Sequence, residues 1–332
     1  MSKSFWLPVV IGLGIMFCLN LLMISSLAPQ LLVKQIISWI IGIFLFFIGT
    51  QINPRQIVSS KIYIFICSCL VLIFPIILNN FTRGSRRWID IGGISFQPSE
   101  LVKPWLMLFL VNTNFPFFIL IPVAIIMIQP DLGSAISVLL LLSPLILYNP
   151  KVLKISLMIG ILLVAASPLI WKFALQEYQR HRILNFINPQ SDPLGKGYNV
   201  IQSKIAIGSG GILGKGYRKG SQGQLLFLPE KHTDFMFAAT AEELGLTGSF
   251  LIIFSYFILI KTLFDKAFSI KQDRQLFLFT LGIAIQIWAQ AFINIGMNLG
   301  LLPVTGIPLP FLSVGGSSII ALMFSLGIVF SS

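Results

Sequence analysis

Ten apolar runs follow one another along this chain, at 5–26, 32–51, 61–80, 98–113, 115–130, 132–149, 151–171, 235–261, 274–298 and 313–331. A helix needs about 20 apolar residues to cross a bilayer core of about 30 Å. In lipid, backbone N–H and C=O groups must be bonded within the protein, and a helix does this inside each span. The expectation is an all-α integral membrane protein of about ten transmembrane helices. Composition agrees, with 56% hydrophobic and 10% charged residues, against about 25% charged in a soluble domain. Residues 1–332 read as one polytopic membrane domain without a visible internal repeat. Only Asn112-Thr113-Asn114 and Pro116 divide the fourth and fifth runs; one broken helix there would reverse the sidedness of everything downstream.

Charge sets the expected orientation. With the N-terminus inside, short cytoplasmic loops carry nine Lys/Arg (Lys3, Arg55, Lys61, Lys151, Lys154, Lys261, Lys266, Lys271, Arg274) and the outer breaks five (Lys34, Arg83, Arg86, Arg87, Lys103). Positive charge favours the cytoplasmic side, which places both termini there. The long loop 172–234, between helices 7 and 8, is then extracytoplasmic. It holds nine more cations, among them Lys204, Lys215 and Lys231, so an anionic partner at the outer leaflet is expected. The net charge of +12 is spread between apolar spans, which fits lipid headgroups and phosphates rather than nucleic acid.

The cysteines, Cys18, Cys67 and Cys69, lie in apolar runs, and no disulfide is expected. Two histidines argue against a zinc site. The first run lacks a small-residue cleavage signal and reads as a retained helix.

Chemistry concentrates in a few polar constellations. Asp234 ends the polar stretch Glu230-Lys231-His232-Thr233-Asp234 and precedes a long apolar run. It suits a helix N-cap. It equally suits a general base or cation ligand in a partly desolvated site. Glu242 and Glu243 follow about two turns into that run, where adjacent acids are costly unless paired. Arg83-Gly-Ser-Arg86-Arg87-Trp88 leads into Gln97-Pro98-Ser99-Glu100 and Lys103. Pro98 and Ser99 open a helix, and Glu100 and Lys103, three apart, share its face. The arginines and Lys103 make either an interfacial ion cluster with Trp88 as anchor or an anion site.

Gln129-Pro130-Asp131-Leu132-Gly133 reads as a tight turn. Gly208, Gly210, Gly211, Gly214 and Gly216 around Lys215 do not match a nucleotide phosphate loop, although such glycines could offer N–H groups to a diphosphate. Asn294 to Ser318 is rich in proline and glycine; irregular backbone at this depth must be shielded or line a cavity.

Six segments together resemble the SEDS family of bacterial wall and septum proteins: RGSRRWIDIGGISFQPSELVK, QPDLGSA, YQRHRILNFINP, DPLGKGYNVIQSKIAIGSGGILGKG, FLPEKHTDFMFAATAEELG and NIGMNLGLLPVTGIPLPFLSVGGSS. PVTGIPLPFLS and GKGYRKGSQGQLLFLPEKHTDF are similar to the elongation members rather than the division members, with the spore-cortex members a further alternative. The resemblance implies a ten-helix inner-membrane enzyme that polymerises lipid II, an undecaprenyl-diphosphate disaccharide-pentapeptide, by inverting glycosyl transfer. It implies a class B penicillin-binding protein as partner, with other membrane and cytoskeletal proteins of the elongation complex. The family's essential loop aspartate maps onto Asp234, its acid and base onto Glu100 and Lys103, and its tryptophan onto Trp88. Candidate substrate-binding residues are Arg83, Arg86, Arg87, Trp88, Lys204, Lys215, His232 and Ser317. A magnesium or manganese ion at Asp234 and Glu100 is the cofactor to consider; no organic cofactor is expected. The sequence departs from the family at LLMISSLAP in the first span, at the nearly absent loop between spans four and five, and at Val314 before the double glycine. Two other readings use the same residues: a lipid II flippase, which needs a polar path through the membrane, and a non-catalytic scaffold for the crosslinking partner.

Overall fold

The structure, a computed structural model, describes residues 5–57, 59–78, 87–91, 94–174, 180, 184, 186, 197–225 and 227–331. The first three helices are α1 (Trp6–Leu27), α2 (Leu32–Gly49) and α3 (Lys61–Leu78). A short antiparallel hairpin follows, β1 (Ile89–Ile91) and β2 (Ile94–Phe96), with Asp90 opposite Ser95. It is the one sheet among the described residues, a small departure from the all-helical expectation. Next come α4 (Pro98–Leu101), α5 (Lys103–Asn112), α6 (Leu120–Ile128), α7 (Leu132–Leu139), α8 (Ser143–Tyr148) and α9 (Pro150–Ala165). After the long loop's first half, the chain forms α10 (Tyr198–Ser209), α11 (Ser221–Gln224), α12 (Met236–Ser269), α13 (Arg274–Asn298) and α14 (Gly316–Val329).

Among the described residues, five helices are long and apolar enough to cross a membrane: α1, Pro29–Gly49, α3, α12 and α13. A sixth is a pair, α9 and Ser167–Phe173, bent by 54°. Pro116–Ile128, Leu132–Tyr148 and α14 are apolar but shorter. The fourth and fifth apolar runs are separate helices. The chain turns extended at Thr113 (φ −103°, ψ 151°), and both α5 and α6 pack on α3.

Close packing relies on small residues, as expected where apolar lipid supplies no drive for association. The most extensive helix pairing is α2 against α14. A Cβ on Gly49 would stand 2.6 Å from the Phe324 carbonyl oxygen, and one on Gly327 would collide with the carbonyl of Phe46. Backbone therefore meets backbone at this crossing.

The run at 235–261 does not form one straight span. Gly245 interrupts α12 with φ 67° and ψ −155°, a conformation open to glycine and strained for other residues. A Cβ on Gly248 would lie 3.3 Å from Thr240 Cγ2, although eight residues of continuous helix cover about 12 Å. The two halves therefore fold back on each other. After the break, α12 runs beside α1, with the Ser255 carbonyl 3.2 Å from a Cβ on Gly12. Before it, Met236–Leu244 is a half-helix ending near Ser26, at the C-terminal end of α1.

The long loop fills the break. Lys215 and Gly216 N–H donate to the carbonyls of Glu242 and Glu243 at 2.9 and 3.0 Å, while Leu246 and Thr247 N–H donate to Gly211 and Ile212 carbonyls at 2.9 and 3.2 Å. The helix ends thus find partners in the loop. The glycine cluster serves this approach: a Cβ at Gly210 or Gly214 would collide with the carbonyls of Ala241 or Glu243. These loop amides serve the helix break instead of presenting N–H groups to a diphosphate.

Candidate active site

Asp234 sits in the turn Glu230–Phe235, closed by Thr233 and Phe235 N–H donating to the Glu230 carbonyl at 3.2 and 3.1 Å. Two amides spaced i,i+4 on α13 clamp the turn. Asn294 and Asn298 Nδ2 donate to the Asp234 carbonyl at 3.1 and 3.0 Å, and Asn298 Oδ1 accepts from Ala238 N–H at 3.1 Å. The N-cap of α12 is Phe235, without a side-chain cap. The Asp234 carboxylate is therefore not spent as an N-cap, and it lines a cavity. Gly306, at φ +74°, passes close beside it, where a Cβ would lie 3.7 Å from Asp234 Oδ2.

The turn is recessed. Ser313 Oγ donates to the Thr233 carbonyl at 2.5 Å, and Val314 N–H donates to the His232 carbonyl at 2.9 Å. Nearby, Asn20 Nδ2 donates to the Leu312 carbonyl at 2.6 Å. Asn20 lies seven residues, about 10 Å of helix, before the end of α1. The irregular segment 299–315 is thus shielded by protein and forms a wall of the site, as its proline and glycine content requires.

The cavity holds about 230 Å³, and its lining includes Asp234, Glu230, Glu100, Arg87, Trp88 and Ser317, with Gly306, Gly315 and Ser318 also on the wall. Gln97–Glu100 enters it at the start of α4. Glu100 is buried and accepts from Lys103 Nζ at 2.5 Å. Arg87 Nη1 stands 3.4 Å from Asp131 Oδ1. Asp131 in turn caps α7 through Ser134 N–H at 3.1 Å and accepts from Gln97 Nε2 at 3.0 Å. The turn at 129–133 is structural as read, and it also holds Arg87 at the cavity.

The residues expected at the site therefore divide. Asp234, Glu100, Arg87, Trp88 and Ser317 meet at one cavity, with Lys103 directly behind Glu100. His232 contributes its carbonyl to the same turn. Lys204 is exposed on α10 and lies over Gly300. Lys215 is not at the cavity; its ammonium is 2.7 Å from Glu242 Oε1 and 2.8 Å from Ser221 Oγ. Arg83 and Arg86 lie outside the described residues.

Glu242 and Glu243 are buried and hold the loop to the bundle. Glu242 accepts from Lys215, Ser221 Oγ and the Gln222 and Gly223 N–H groups. Glu243 accepts from Ser26 Oγ at 2.7 Å, Gln224 Nε2 at 3.0 Å and Arg218 N–H at 3.1 Å. In the same region Lys231 Nζ donates to the Gly223 carbonyl at 2.5 Å, and burial lowers its proton affinity, with Glu243 acting in opposition. The sequence did not mark Asn294, Asn298 or Ser318 as site residues, and it gave Asp131 only as part of a turn; the i,i+4 amides were a legible sign.

No three His, Cys, Asp or Glu side chains gather as a metal site among the described residues. Carboxylates around the cavity could still supply one or two ligands to an ion whose remaining ligands are phosphate and water.

The sequence pattern of the FtsW, RodA and SpoVE cell cycle proteins matches residues 3–331. The peptidoglycan glycosyltransferase MrdB of Escherichia coli K12 is 38% identical over 316 residues, spanning 87% of this chain and 82% of that protein. MrdB of Helicobacter pylori is 35% identical, over 99% of this chain and 91% of its own. Among solved structures, a chain of a peptidoglycan synthase complex that coordinates polymerization and crosslinking superposes with a TM-score of 0.80 at 31% identity, covering 97% of this chain and 95% of that one. The rod shape determining protein RodA of Thermus thermophilus superposes at 0.70 with 26% identity, over 99% and 96%. On this agreement of sequence and fold, the chain belongs to the FtsW, RodA and SpoVE family of cell cycle proteins, the SEDS family.

Proposed function

We propose that this chain is a peptidoglycan glycosyltransferase that polymerises glycan strands from lipid II during cell-wall elongation, as a multi-pass protein of the bacterial inner membrane. The observation that carries the site is the recessed Asp234 carboxylate, sharing one cavity with Glu100 and Arg87. The excess of Lys and Arg in the short loops on one side supports cytoplasmic termini, an orientation that would turn the cavity and the long loop toward the outer face.

The acceptor hydroxyl oxygen attacks C1 of the donor sugar. The C1–O bond to the diphosphate breaks, and undecaprenyl diphosphate leaves with that electron pair. The hydroxyl proton passes to the Asp234 carboxylate, a general base held in place by Asn294 and Asn298 through its backbone. Attack from the face opposite the leaving group turns an α-linked donor into a β-linked product. The Lys103 ammonium fixes Glu100 and balances its charge inside the protein. Asp234 and Glu100, with the substrate's phosphate oxygens, fit a magnesium or manganese ion, which would neutralise the departing diphosphate when bound.

A class B penicillin-binding protein is the proposed partner, in line with the synthase complex that this fold resembles. The test incubates the purified chain, with a transpeptidase-dead partner, with labelled lipid II and magnesium or manganese. Polymer from wild type and none from Asp234→Asn, with both folded, is the expected result. Polymer from both would move the base elsewhere. None from either, beside an active relative, would sink the transferase reading.

A further inference from the structure

The leaving diphosphate needs a place among three carboxylates, and one wall of the cavity differs from the rest. Helix α14 begins there, with Gly315, Ser317 and Ser318 on the lining. Its first turn carries no acidic residue, and no side chain caps it. The partial positive charge at the start of a 14-residue helix therefore faces the cavity. The two serines have different fates. Ser317 Oγ accepts from Gln97 N–H at 2.9 Å and is part of the scaffold. Ser318 is 6% exposed, and its Oγ is buried without a hydrogen-bond partner. Buried hydroxyls nearly always have partners, and an orphan on a cavity wall marks a place for a ligand. Arg87 shows the same pattern: Nη1 is held by Asp131, while Nε is buried and unpartnered.

We infer that the N-terminus of α14, Ser318 and Arg87 form the subsite for the donor's diphosphate. This rests on the glycosyltransferase reading.

The full chain in detergent is titrated with inorganic pyrophosphate by calorimetry, and its lipid II polymerisation kinetics are measured alongside. Ser318→Ala weakens pyrophosphate about tenfold and raises KM for lipid II to a similar degree, the loss expected for one hydrogen bond to a charged group. Ser318→Thr, which keeps the hydroxyl, stays near wild type in both. The melting temperature of ligand-free Ser318→Ala is unchanged or raised, because the lost hydroxyl had no partner; a purely structural serine would lower it. Unchanged pyrophosphate affinity and KM in Ser318→Ala would overturn the inference. Pyrophosphate binding that depends on Ser318, in a wild-type protein that makes no polymer, would sink glycosyl transfer and keep an anion subsite.

Discussion

Lys103 Nζ lies 2.5 Å from Glu100 Oε1, with the two side chains only 2% and 4% exposed. Removing one partner leaves a buried charge uncompensated, at a cost of about 3–5 kcal/mol. Glu100→Gln and Lys103→Met should each lower the melting temperature, and the double variant should recover much of the loss. Polymerisation should stay low in all three. A double variant no more stable than the singles would show that the pair is not the relevant contact.

Asp234→Asn removes the proton acceptor and keeps the backbone carbonyl that Asn294 and Asn298 hold. Activity should fall by roughly 10²–10⁴-fold, the range for loss of a general base. Melting should change little, since Asn keeps the shape of the side chain and an acceptor oxygen at its end. A large loss of stability would instead mean that the carboxylate is part of the scaffold.

Asn298→Ala tests the clamp. It deletes one of the two bonds to the Asp234 carbonyl, which Asn294 still holds, and leaves the buried Ala238 N–H unpaired at about 1–3 kcal/mol. Activity should drop with Asp234 still present. An unchanged rate would show that the turn holds its shape without α13.

Gly214→Ala should be severe. Its φ is +79°, and a Cβ would collide with the Glu243 carbonyl. The loop could then no longer reach the broken helix, and the protein should lose its monodisperse folded form. Gly208→Ala, with open space around its Cβ, is the matched control and should be tolerated.

The proton affinity of Lys231 is lowered by burial. The folded state therefore binds fewer protons than the unfolded chain between its folded pKa and the ordinary lysine value of about 10.4, and stability rises with pH through that window. Below it the cost of burying the charge is fully present. Lys231→Met should remove this rise from the melting-temperature profile; an identical profile would assign it to other groups.

The membrane class was legible because it depends on length and hydropathy alone. Apolar runs near 20 residues have few other stable states in water or lipid. Asn-Thr-Asn and Pro116 marked a candidate break between the fourth and fifth runs but left one broken helix open; the structure shows the chain leaving the helix at Thr113. The fold-back at Gly245 was not visible. One glycine within an apolar run looks like any other, and its left-handed conformation is set by the loop that donates to the Glu242 and Glu243 carbonyls.

The sequence alone determined the membrane-embedded class and the family, and it placed Asp234, Glu100, Lys103, Arg87 and Trp88 among the candidates, since residue types and local spacing carry those signals. Only the tertiary structure decided which candidates meet. Lys215 was drawn off to Glu242, Ser317 was tied to Gln97 at the cavity wall and Asp131 to Arg87, while the buried Ser318 hydroxyl was left without a partner. Those partners lie up to 220 positions apart in the chain, and buried polar groups pair according to proximity in space, which no local pattern encodes.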